Sequence, residues 1–345
     1  AFQNRDVLQE VVIHTGQHFD DNMSSVFFSQ LGIRVPDYHL AIHGGLHGRM
    51  TGRMLEAVEE VLLQEKPDCV LVYGDTNSTL AGALAAAKLH IPVVHVEAGL
   101  RSNDRRMPEE INRILVDNLS DLLFCPTKNA LENLTAEGVR LRGARVEIVG
   151  DVMFDAVKLF SQQATRPADW PELDPFVLAT LHRAENTDDP QRLSGIVAGL
   201  NDVHRHVAPV VVPLHPRTRQ AINRFGLKTE FMTINPVGYL EMLWLLRNSG
   251  LVITDSGGLQ KEAYMVGVAC LTLRDSTEWR ELVEIGANRL VPAEAGVMLE
   301  HSRAELGRKV EPNESLYGGG TASERIATIL MEHFGSIGFS SETGT

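Results

Sequence analysis

Residues 254–262 have types that could bind a phosphorylated ligand, and they follow an apolar run at 251–253 that is typical of a buried parallel strand. Ser256, Gly257 and Gly258 lie at the expected turn into a helix, where glycines let a ligand approach the backbone and the helix N-terminus attracts an anion. Glu262 lies further into the helix and suits sugar hydroxyls better than phosphate. The segment predicts a nucleotide-sugar site; the alternative is a helix cap with packing glycines.

Three carboxylates in the first half of the chain follow the ends of expected strands and could move protons. They are Asp75, Glu97 and Glu109. Asp75 could instead cap a helix, and Glu109, which follows Pro108, could be a first-turn acid favoured by the helix dipole. Glu97 directly follows an apolar strand, where an acid is costly unless it is partnered or used. Glu97 is therefore the strongest catalytic candidate of the three.

Two histidines follow strands in the second half. His182 could act as an acid, a base or a donor to phosphate, and His215 ends the next strand. Each could instead cap a helix or pack in the core. Metal binding is not expected, because no close cysteine pair occurs and the histidine pairs with a four-residue offset are interrupted by glycine. No strand is followed by G-x-G-x-x-G, so a nicotinamide is not expected either, and we expect no cofactor.

The composition favours a globular protein that binds an anionic small molecule through a local cluster of positive groups. Hydrophobic residues make up 43% of the 345 residues and charged residues 22%, which is enough to bury proper cores. The net charge of -13 argues against nucleic acid or an anionic membrane surface as partner. No apolar run approaches about 18 residues, the three cysteines lie in or beside apolar runs, and the N-terminus lacks signal-peptide character. We therefore expect a reducing, cytoplasmic location.

Strands and helices alternate along the chain, which is typical of parallel sheets covered by helices on both faces. The predicted fold is α/β, with two Rossmann-like doubly wound domains separated by a proline-rich segment at 161–175. We place the first domain at 1–163, the second at 164–325, and a C-terminal helix at 326–345 that packs back on the first. Ligands of such sheets bind beyond the carboxyl ends of the strands, so the active site is expected in the cleft between the domains.

The positions of individual elements follow from periodicity and turn signals. Helices are expected at 52–64, 78–89, 109–119, 128–137 and 322–334. Strands are expected at 10–14, 69–73, 92–96, 121–125, 146–149, 176–181, 209–214, 230–234, 251–254 and 269–273. The tail from residue 335 is rich in serine and glycine and is expected to fray.

Several short motifs occur in order over nearly the whole chain. They are Thr15-Gly16-Gln17-His18, Tyr73-Gly74-Asp75-Thr76, His95-Val96-Glu97-Ala98-Gly99-Leu100-Arg101, Pro108-Glu109-Glu110 with Asn112-Arg113, His182-Arg183 with Glu185-Asn186, residues 254–262, and Arg274-Asp275 with Thr277-Glu278. Together they resemble the non-hydrolysing UDP-N-acetylglucosamine 2-epimerase family. The resemblance implies a glycosyltransferase-B-like fold, in which two Rossmann-like domains close on a UDP-sugar.

The resemblance also implies a reaction, in which UDP is eliminated to give a glycal and is added back, inverting the carbon that bears the acetamido group. Asp75, Glu97 and Glu109 would handle the ring proton and support positive charge, and His182 would stabilise the leaving diphosphate. The implied binding residues are Ser256, Gly257 and Gly258 for phosphate, Glu262 for ribose, Arg113 for the diphosphate, and Arg183, His215 and Trp279 for the substrate or UDP. Gln17 and His18 would lie near the substrate or a second, regulatory UDP-sugar site, and a homodimer is expected.

Two departures from the family pattern affect these expectations. The family usually begins with a strand and a Gly-Ala/Thr-Arg-Pro turn, which this sequence lacks, so we expect a hole in the first core, a lost phosphate contact and weak activity unless residues are missing. Trp279 follows Glu278 where the family commonly has arginine, and Arg105 and Arg106 lie in the segment before Glu109. These features resemble a subgroup that acts on UDP-2,3-diacetamido-2,3-dideoxyglucuronate for O-antigen, whose carboxylate could pair with Arg105 or Arg106.

The leading hypothesis is a UDP-N-acetylglucosamine 2-epimerase that makes the manno isomer, with the uronate epimerase as the alternative. A glycosyltransferase of the same fold is a hypothesis of another class, which the three carboxylates disfavour. A non-catalytic nucleotide-sugar sensor is a third, and it would suit a chain without its first strand.

Overall fold

The structure is a computed structural model that describes residues 2, 8–17, 30–168 and 170–335. His18 and the tail from residue 336, for which we made predictions, lie outside the described residues. The strands are β1 Ile13–His14, β2 Tyr38–His39, β3 Val70–Tyr73, β4 Val93–Val96, β5 Leu122–Cys125, β6 Arg145–Ile148, β7 Val177–Thr180, β8 Val210–Pro213, β9 Met232–Ile234, β10 Leu251–Thr254, β11 Cys270–Thr272 and β12 Asn288–Leu290. The helices are α1 His47–Glu65, α2 Asn77–Lys88, α3 Pro108–Leu119, α4 Lys128–Ala136, α5 Val152–Phe160, α6 Ala184–Thr187, α7 Pro190–His206, α8 Pro216–Arg224, α9 Tyr239–Asn248, α10 Gly257–Met265, α11 Arg280–Glu284, α12 Ala295–Glu305, α13 Glu314–Tyr317 and α14 Ala322–Phe334.

The chain divides into two compact units, each with its own parallel sheet. Unit 1 comprises Ala1–Ala156 and Asn313–Thr345, and unit 2 comprises Val157–Pro312. Both boundaries fall earlier in the chain than the ones we expected at 163 and 325. The return to unit 1 begins before α14 because the loop after Tyr317 packs on Gly150, where an added Cβ would lie 2.6 Å from the Tyr317 carbonyl oxygen.

Unit 1 is built on a four-stranded sheet in the order β3-β4-β5-β6, with all strand pairs parallel. Helices cover both faces of this sheet, as the side chains of β4 show. Val93 of β4 packs with residues of α1, α2 and α3, whereas Val94 and Val96 pack on the other face against Ile326 and Leu330 of α14. This two-residue alternation aims His95 at the α3 side and brings the carboxyl ends of the strands to one edge.

A cavity of about 490 Å³ lies in unit 1 between β1, β3 and α1. Among the described residues, β1 pairs only with β2, and β3 pairs only with β4. Each strand therefore has one edge without a strand beside it, and both edges line the cavity.

Unit 2 is built on a six-stranded parallel sheet in the order β12-β11-β10-β7-β8-β9. The strand order reverses between β7 and β10, which pair through Thr180 and Thr254. In sheets of this kind, ligands bind beyond the carboxyl ends at such a reversal. The phosphate-binding candidates follow β10 and the candidate His182 follows β7, so the fold brings them to one edge.

We expected the proline-rich segment at 161–175 to link the two domains, but part of it packs into a core. Trp170 is buried and lies 4.8 Å from Phe176 and 5.7 Å from Trp244 between ring centroids. Its indole belongs to the apolar core of unit 2, so the aromatic residue outweighs the surrounding prolines. Sequence periodicity also missed β2 and β12, because two or three residues with polar or charged side chains carry no alternating pattern.

Candidate active site

Asp75 lies in the turn between β3 and α2, at the carboxyl edge of the sheet in unit 1. Its carboxylate accepts a hydrogen bond from Nε of Arg113 at 3.1 Å and is also paired with Nη2 of that residue. The side-chain amide of Asn112 donates to the Asp75 carbonyl at 2.9 Å. The Asp75 side chain keeps 24% of its surface exposed, whereas Arg113 is buried. The structure thus joins two predicted site residues, Asp75 and Arg113, in one ion pair.

Glu97 directly follows β4, and its backbone has a φ of 71°. A non-glycine residue rarely adopts this left-handed conformation, which costs about 1–3 kcal/mol and persists where the surroundings enforce it. The backbone N–H groups of Glu97 and Ala98 both donate to the Phe124 carbonyl, at 3.1 and 3.0 Å. The Glu97 carboxylate lies against Gly74, since Oε1 would be 3.7 Å from a Cβ there. Glu97 and Asp75 therefore come from neighbouring strand ends.

Glu109 lies in the first turn of α3, directly after Pro108. Its side chain is half-buried and has no hydrogen-bonding partner among the described residues. The neighbouring Glu110, which the sequence did not single out as a site residue, is buried and anchors the preceding loop. It accepts hydrogen bonds from the backbone N–H groups of Ser102 and Asn103 and from Arg113, all at 2.9 Å. The acid–arginine pair at positions i and i+3 of a helix was the available signal.

The loop that Glu110 anchors carries Arg105 and Arg106, and the structure distinguishes these two arginines. Arg106 donates to its neighbour Asp104 from Nε at 2.9 Å and from Nη2 at 2.7 Å. Arg105 is exposed, and its guanidinium has no partner within the part of the chain that the structure describes. Arg105 is therefore the better placed of the two to pair with an anionic ligand.

Gln17, at the end of the segment after β1, is engaged with the N-terminus of α2. Its side-chain oxygen accepts hydrogen bonds from the backbone N–H and the hydroxyl of Ser78, both at 3.0 Å. The Thr15 and Ser78 hydroxyls lie 2.6 Å apart. Gln17 therefore stabilises the N-terminus of α2, in addition to the binding role that we expected.

In unit 2, the buried Asp255 organises the turn that carries His182 and Arg183. Its carboxylate accepts from the backbone N–H groups of both residues, at 3.0 Å each, and from the Asn186 amide at 3.1 Å. Nδ1 of His182 lies 4.0 Å from this carboxylate, too far for a hydrogen bond. Sequence reasoning missed Asp255, although it follows a buried strand as Glu97 does, and the same argument would have found it.

His182 and His215 lie together, with ring centroids 6.2 Å apart. Desolvation lowers the pKa of His182 even though 45% of its side chain is exposed; Asp255 opposes this effect and His215 adds to it. His182 is therefore mainly neutral at pH 7 and can donate one N–H to an anion. Nδ1 of His215 accepts from the Arg217 N–H at 3.2 Å, so His215 caps α8, the alternative that the sequence had left open.

The N-terminus of α10 contains the predicted phosphate-binding residues Ser256, Gly257 and Gly258. The Ser256 hydroxyl caps the helix by accepting from the Leu259 N–H at 3.4 Å. The N–H groups of Gly257 and Gly258 have no acceptor among the described residues, so they can serve an anion. Gly257 must lack a side chain, because a Cβ there would lie 2.5 Å from Oε1 of Glu278.

Trp279 contacts α10, the helix that begins at Gly257. Trp279 is buried, and Nζ of the buried Lys261 lies 3.9 Å from its ring centroid, within the range of a cation–π interaction. Arg274 holds the Glu278 carboxylate at 2.9 Å. Trp279 therefore supports the helix that carries Gly257, and its indole takes the place of the arginine that the family pattern led us to expect.

Glu262 lies in α10 beside Tyr239 of α9. Burial and a hydrogen bond to the Glu262 carboxylate raise the pKa of Tyr239, which therefore stays a hydroxyl donor at neutral pH. The Glu262 carboxylate is 6% exposed. A carboxylate has several acceptor positions, so this contact leaves Glu262 able to accept hydrogen bonds from sugar hydroxyls.

The described residues contain no group of three or more His, Cys, Asp or Glu side chains that could hold a metal ion. They also contain no helix that is long and apolar enough to cross a membrane. All three cysteines are free; Cys125 and Cys270 are buried and Cys69 is half-buried.

The sequence and the structure were compared with known proteins. The sequence model of the UDP-N-acetylglucosamine 2-epimerase family matches residues 1–331. The Pseudomonas aeruginosa UDP-2,3-diacetamido-2,3-dideoxy-D-glucuronate 2-epimerase is 60% identical over 332 residues, which cover 96% of this chain and 94% of that protein. The crystal structure of Methanocaldococcus jannaschii UDP-GlcNAc 2-epimerase in complex with UDP-GlcNAc and UDP is 42% identical, with a TM-score of 0.88 and coverage of 96% of this chain and 94% of that one. The Neisseria meningitidis UDP-GlcNAc 2-epimerase bound to UDP-GlcNAc is 30% identical, with a TM-score of 0.84 and the same coverage of both chains.

These matches define an α/β enzyme of the glycosyltransferase-B-like kind that isomerises UDP-sugars. The chain belongs to the UDP-N-acetylglucosamine 2-epimerase family, and the predicted fold class and enzyme class are confirmed.

Proposed function

We propose that this 2-epimerase acts on UDP-2,3-diacetamido-2,3-dideoxyglucuronate and inverts C2 by elimination and re-addition of UDP. The identity of 60% with the P. aeruginosa enzyme of that name, over almost the whole chain, is the observation that supports this substrate best. UDP-GlcNAc is the second candidate, because the relatives whose structures contain this sugar are 30–42% identical.

The proposed reaction requires one group that takes a proton from C2 and a second group that returns a proton to it. A carboxylate of unit 1 takes the C2 proton while the C1–O bond breaks, so a C1=C2 double bond forms and the electron pair leaves with UDP. A second carboxylate then returns a proton to the opposite face of C2, and a diphosphate oxygen adds back to C1. Asp75 and Glu97, from neighbouring strand ends, are the proposed proton carriers. Glu109, half-buried and without a side-chain partner among the described residues, is proposed to support the positive charge that develops on the ring.

UDP binding is assigned mainly to residues of unit 2. The N–H groups of Gly257 and Gly258 and the Ser256 turn would hold phosphate, with the His182 N–H and Arg183 beside them. Glu262 would accept the ribose hydroxyls, and His215 would flank the uridine carrier. Arg113 is assigned to the diphosphate from the family resemblance, and its guanidinium is paired with Asp75. The buried Trp279 would hold α10 in place rather than touch the ligand.

Of the two candidate substrates, only the uronate carries a carboxylate on its sugar, and we propose that Arg105 binds this group. An arginine without a protein partner can offer two parallel N–H donors to a carboxylate, whereas Arg106 must first leave Asp104. Arg105→Ala is expected to lower kcat/KM for the uronate by about 10- to 100-fold and to change turnover of UDP-GlcNAc little. Arg106→Ala is the matched control and is expected to have the smaller effect. Unchanged uronate turnover in the Arg105→Ala, Arg106→Ala double variant would remove the assignment.

The proton-transfer roles have a direct test. In deuterated water, the wild-type enzyme is expected to exchange deuterium into C2 of the sugar, as seen by proton NMR. Glu97→Gln and Asp75→Asn should fold and bind UDP but lose this exchange. Full exchange in both variants would show that the roles are misassigned, and a requirement for an added acceptor would favour a glycosyltransferase instead.

Three further properties belong to the proposal. A second UDP-sugar is proposed as a regulatory ligand near Gln17 and His18; the M. jannaschii complex, which contains both UDP-GlcNAc and UDP, supports this idea. A homodimer is proposed from the family resemblance, with analytical ultracentrifugation as its test. A cytoplasmic location is proposed because all three cysteines are free thiols, which suits a reducing compartment.

A further inference from the structure

A fully buried histidine in unit 1, His95, makes hydrogen bonds from both ring nitrogens. Nδ1 lies 2.7 Å from Oδ1 of Asp117, and Nε2 lies 2.8 Å from the carbonyl oxygen of Gly74. The side chains of His95 and Asp117 both have no exposed surface. Both polar atoms of the ring are therefore engaged with the protein, and the side chain is closed to solvent.

Both partners of His95 carry acceptor atoms, a carboxylate oxygen and a backbone carbonyl oxygen. The Asp117 carboxylate also accepts from Nη1 of Arg101 at 2.7 Å and from the Gly99 N–H at 3.2 Å. Burial opposes the ionisation of Asp117, but the hydrogen bonds from His95 and Arg101 hold the pKa of Asp117 below its usual range. His95 is therefore held between two fixed acceptors.

The cluster around Asp117 extends to Glu137 through Arg101. Arg101 donates from Nε and Nη2 to the two carboxylate oxygens of Glu137, each at 2.7 Å. Arg101 thus joins the buried Asp117 to Glu137, whose side chain is 36% exposed.

This cluster holds backbone groups that lie next to each of the two proposed proton carriers. Through Nε2, His95 fixes the carbonyl of Gly74, the residue before Asp75. Through Asp117, it fixes the N–H of Gly99, two residues after Glu97. Gly99 is further confined by α4, since a Cβ there would lie 2.4 Å from the Ala130 carbonyl oxygen. The left-handed backbone of Glu97 therefore lies between two segments that the cluster fixes.

We propose that His95 is a positioning residue of the epimerase reaction: through its hydrogen bonds to Asp117 and to the Gly74 carbonyl, it sets the mutual placement of the Asp75 and Glu97 carboxylates without touching the substrate. This inference rests on the proposed proton-transfer roles of Asp75 and Glu97. Since proton transfer is sensitive to displacements of about 1 Å, loss of His95 lowers the rate of the chemical step more than it weakens UDP binding.

The variant His95→Gln tests the proposal, with His204→Asn as control. His204 also binds the backbone through its ring, accepting from the Val210 N–H at 3.0 Å, but it belongs to unit 2 and is not among the proposed binding or proton-transfer residues. In His95→Gln, we expect kcat and C2 deuterium exchange to fall together by about 10- to 100-fold, with the UDP dissociation constant within about twofold of wild type. His204→Asn should keep wild-type kcat per folded molecule. A His95→Gln enzyme with wild-type kcat and exchange would overturn the proposal.

A second variant, Asp117→Asn, keeps His95 in place and changes the acceptor of its Nδ1. We expect kcat and C2 exchange to fall in this variant too, with UDP binding retained, and wild-type values would contradict the proposal. If wild type and control both fail to exchange C2 on either UDP-sugar, the proposed function itself is wrong; an active wild type with an equally active His95→Gln refutes only the positioning role.

Discussion

Gly257→Ala is the substitution for which the structure gives the clearest magnitude. The new Cβ would lie 2.5 Å from Oε1 of Glu278, whereas ordinary contact begins at 3.4 Å, so the two atoms must separate by about 0.9 Å. Glu278 cannot yield freely, because it is 7% exposed and Arg274 holds its carboxylate. Overpacking of this kind costs about 1–3 kcal/mol. The strain falls on the N–H groups that we assign to phosphate.

The expected result is therefore a combined loss of stability and of ligand affinity. Urea unfolding should show the loss of about 1–3 kcal/mol, and calorimetry should show UDP binding weakened by about tenfold or more. Gly296→Ala is the matched control, because Gly296 also lies in the first turn of a helix but has open space around it. A glycine-to-alanine change in an unstrained helix should stabilise the protein by about 0.4–1 kcal/mol. Equal stability and equal UDP affinity of Gly257→Ala and wild type would refute the reasoning.

Two further predictions concern the ion cluster of unit 1. Arg101→Met should lower the free energy of unfolding in urea by about 3–5 kcal/mol, because it leaves Asp117 and Glu137 without their shared cation. The control Arg205→Met breaks only exposed pairs and should lower it by less than about 1 kcal/mol. Similar losses in both variants would contradict the role of burial. The pKa of Asp117 is lower in the folded protein than its usual 3.8, so its contribution to stability is present above that pH and is lost as the pH falls below it. The difference in unfolding free energy between wild type and Asp117→Asn should accordingly shrink from about pH 5 to about pH 2.5, and a constant difference would argue against it.

Much of the fold follows from local patterns in the sequence, since long helices and buried strands have strong periodicity. For the last helix, the bounds 322–334 predicted from periodicity match the structure, whereas the domain assignment at 326–345 begins four residues too late. What the sequence could not show is which of two adjacent acids is used for structure. In Pro108-Glu109-Glu110, it is the buried Glu110 that binds the preceding loop, a contact that depends on a chain reversal rather than on spacing.

The same limit applies to His95 and Asp255. A histidine within an apolar strand suggests a buried polar contact, but its partners Gly74 and Asp117 are 21 and 22 residues away in sequence. Asp255 binds residues 69–73 positions away, which only the pairing of β7 with β10 brings close. Candidate residues can be found from type and strand position, whereas their partners require the topology.

The central claim is that UDP leaves the sugar and returns while C2 exchanges its proton. It is tested most directly with UDP-2,3-diacetamido-2,3-dideoxyglucuronate carrying ¹⁸O in the C1–O–P bridge, incubated with the enzyme in deuterated water. The account predicts that the label moves into non-bridging oxygens of the β-phosphate and that deuterium enters C2 of the recovered sugar. Inversion at C2 with the label fully retained in the bridge would contradict it, because a released β-phosphate can rotate and add any of its three terminal oxygens back to C1.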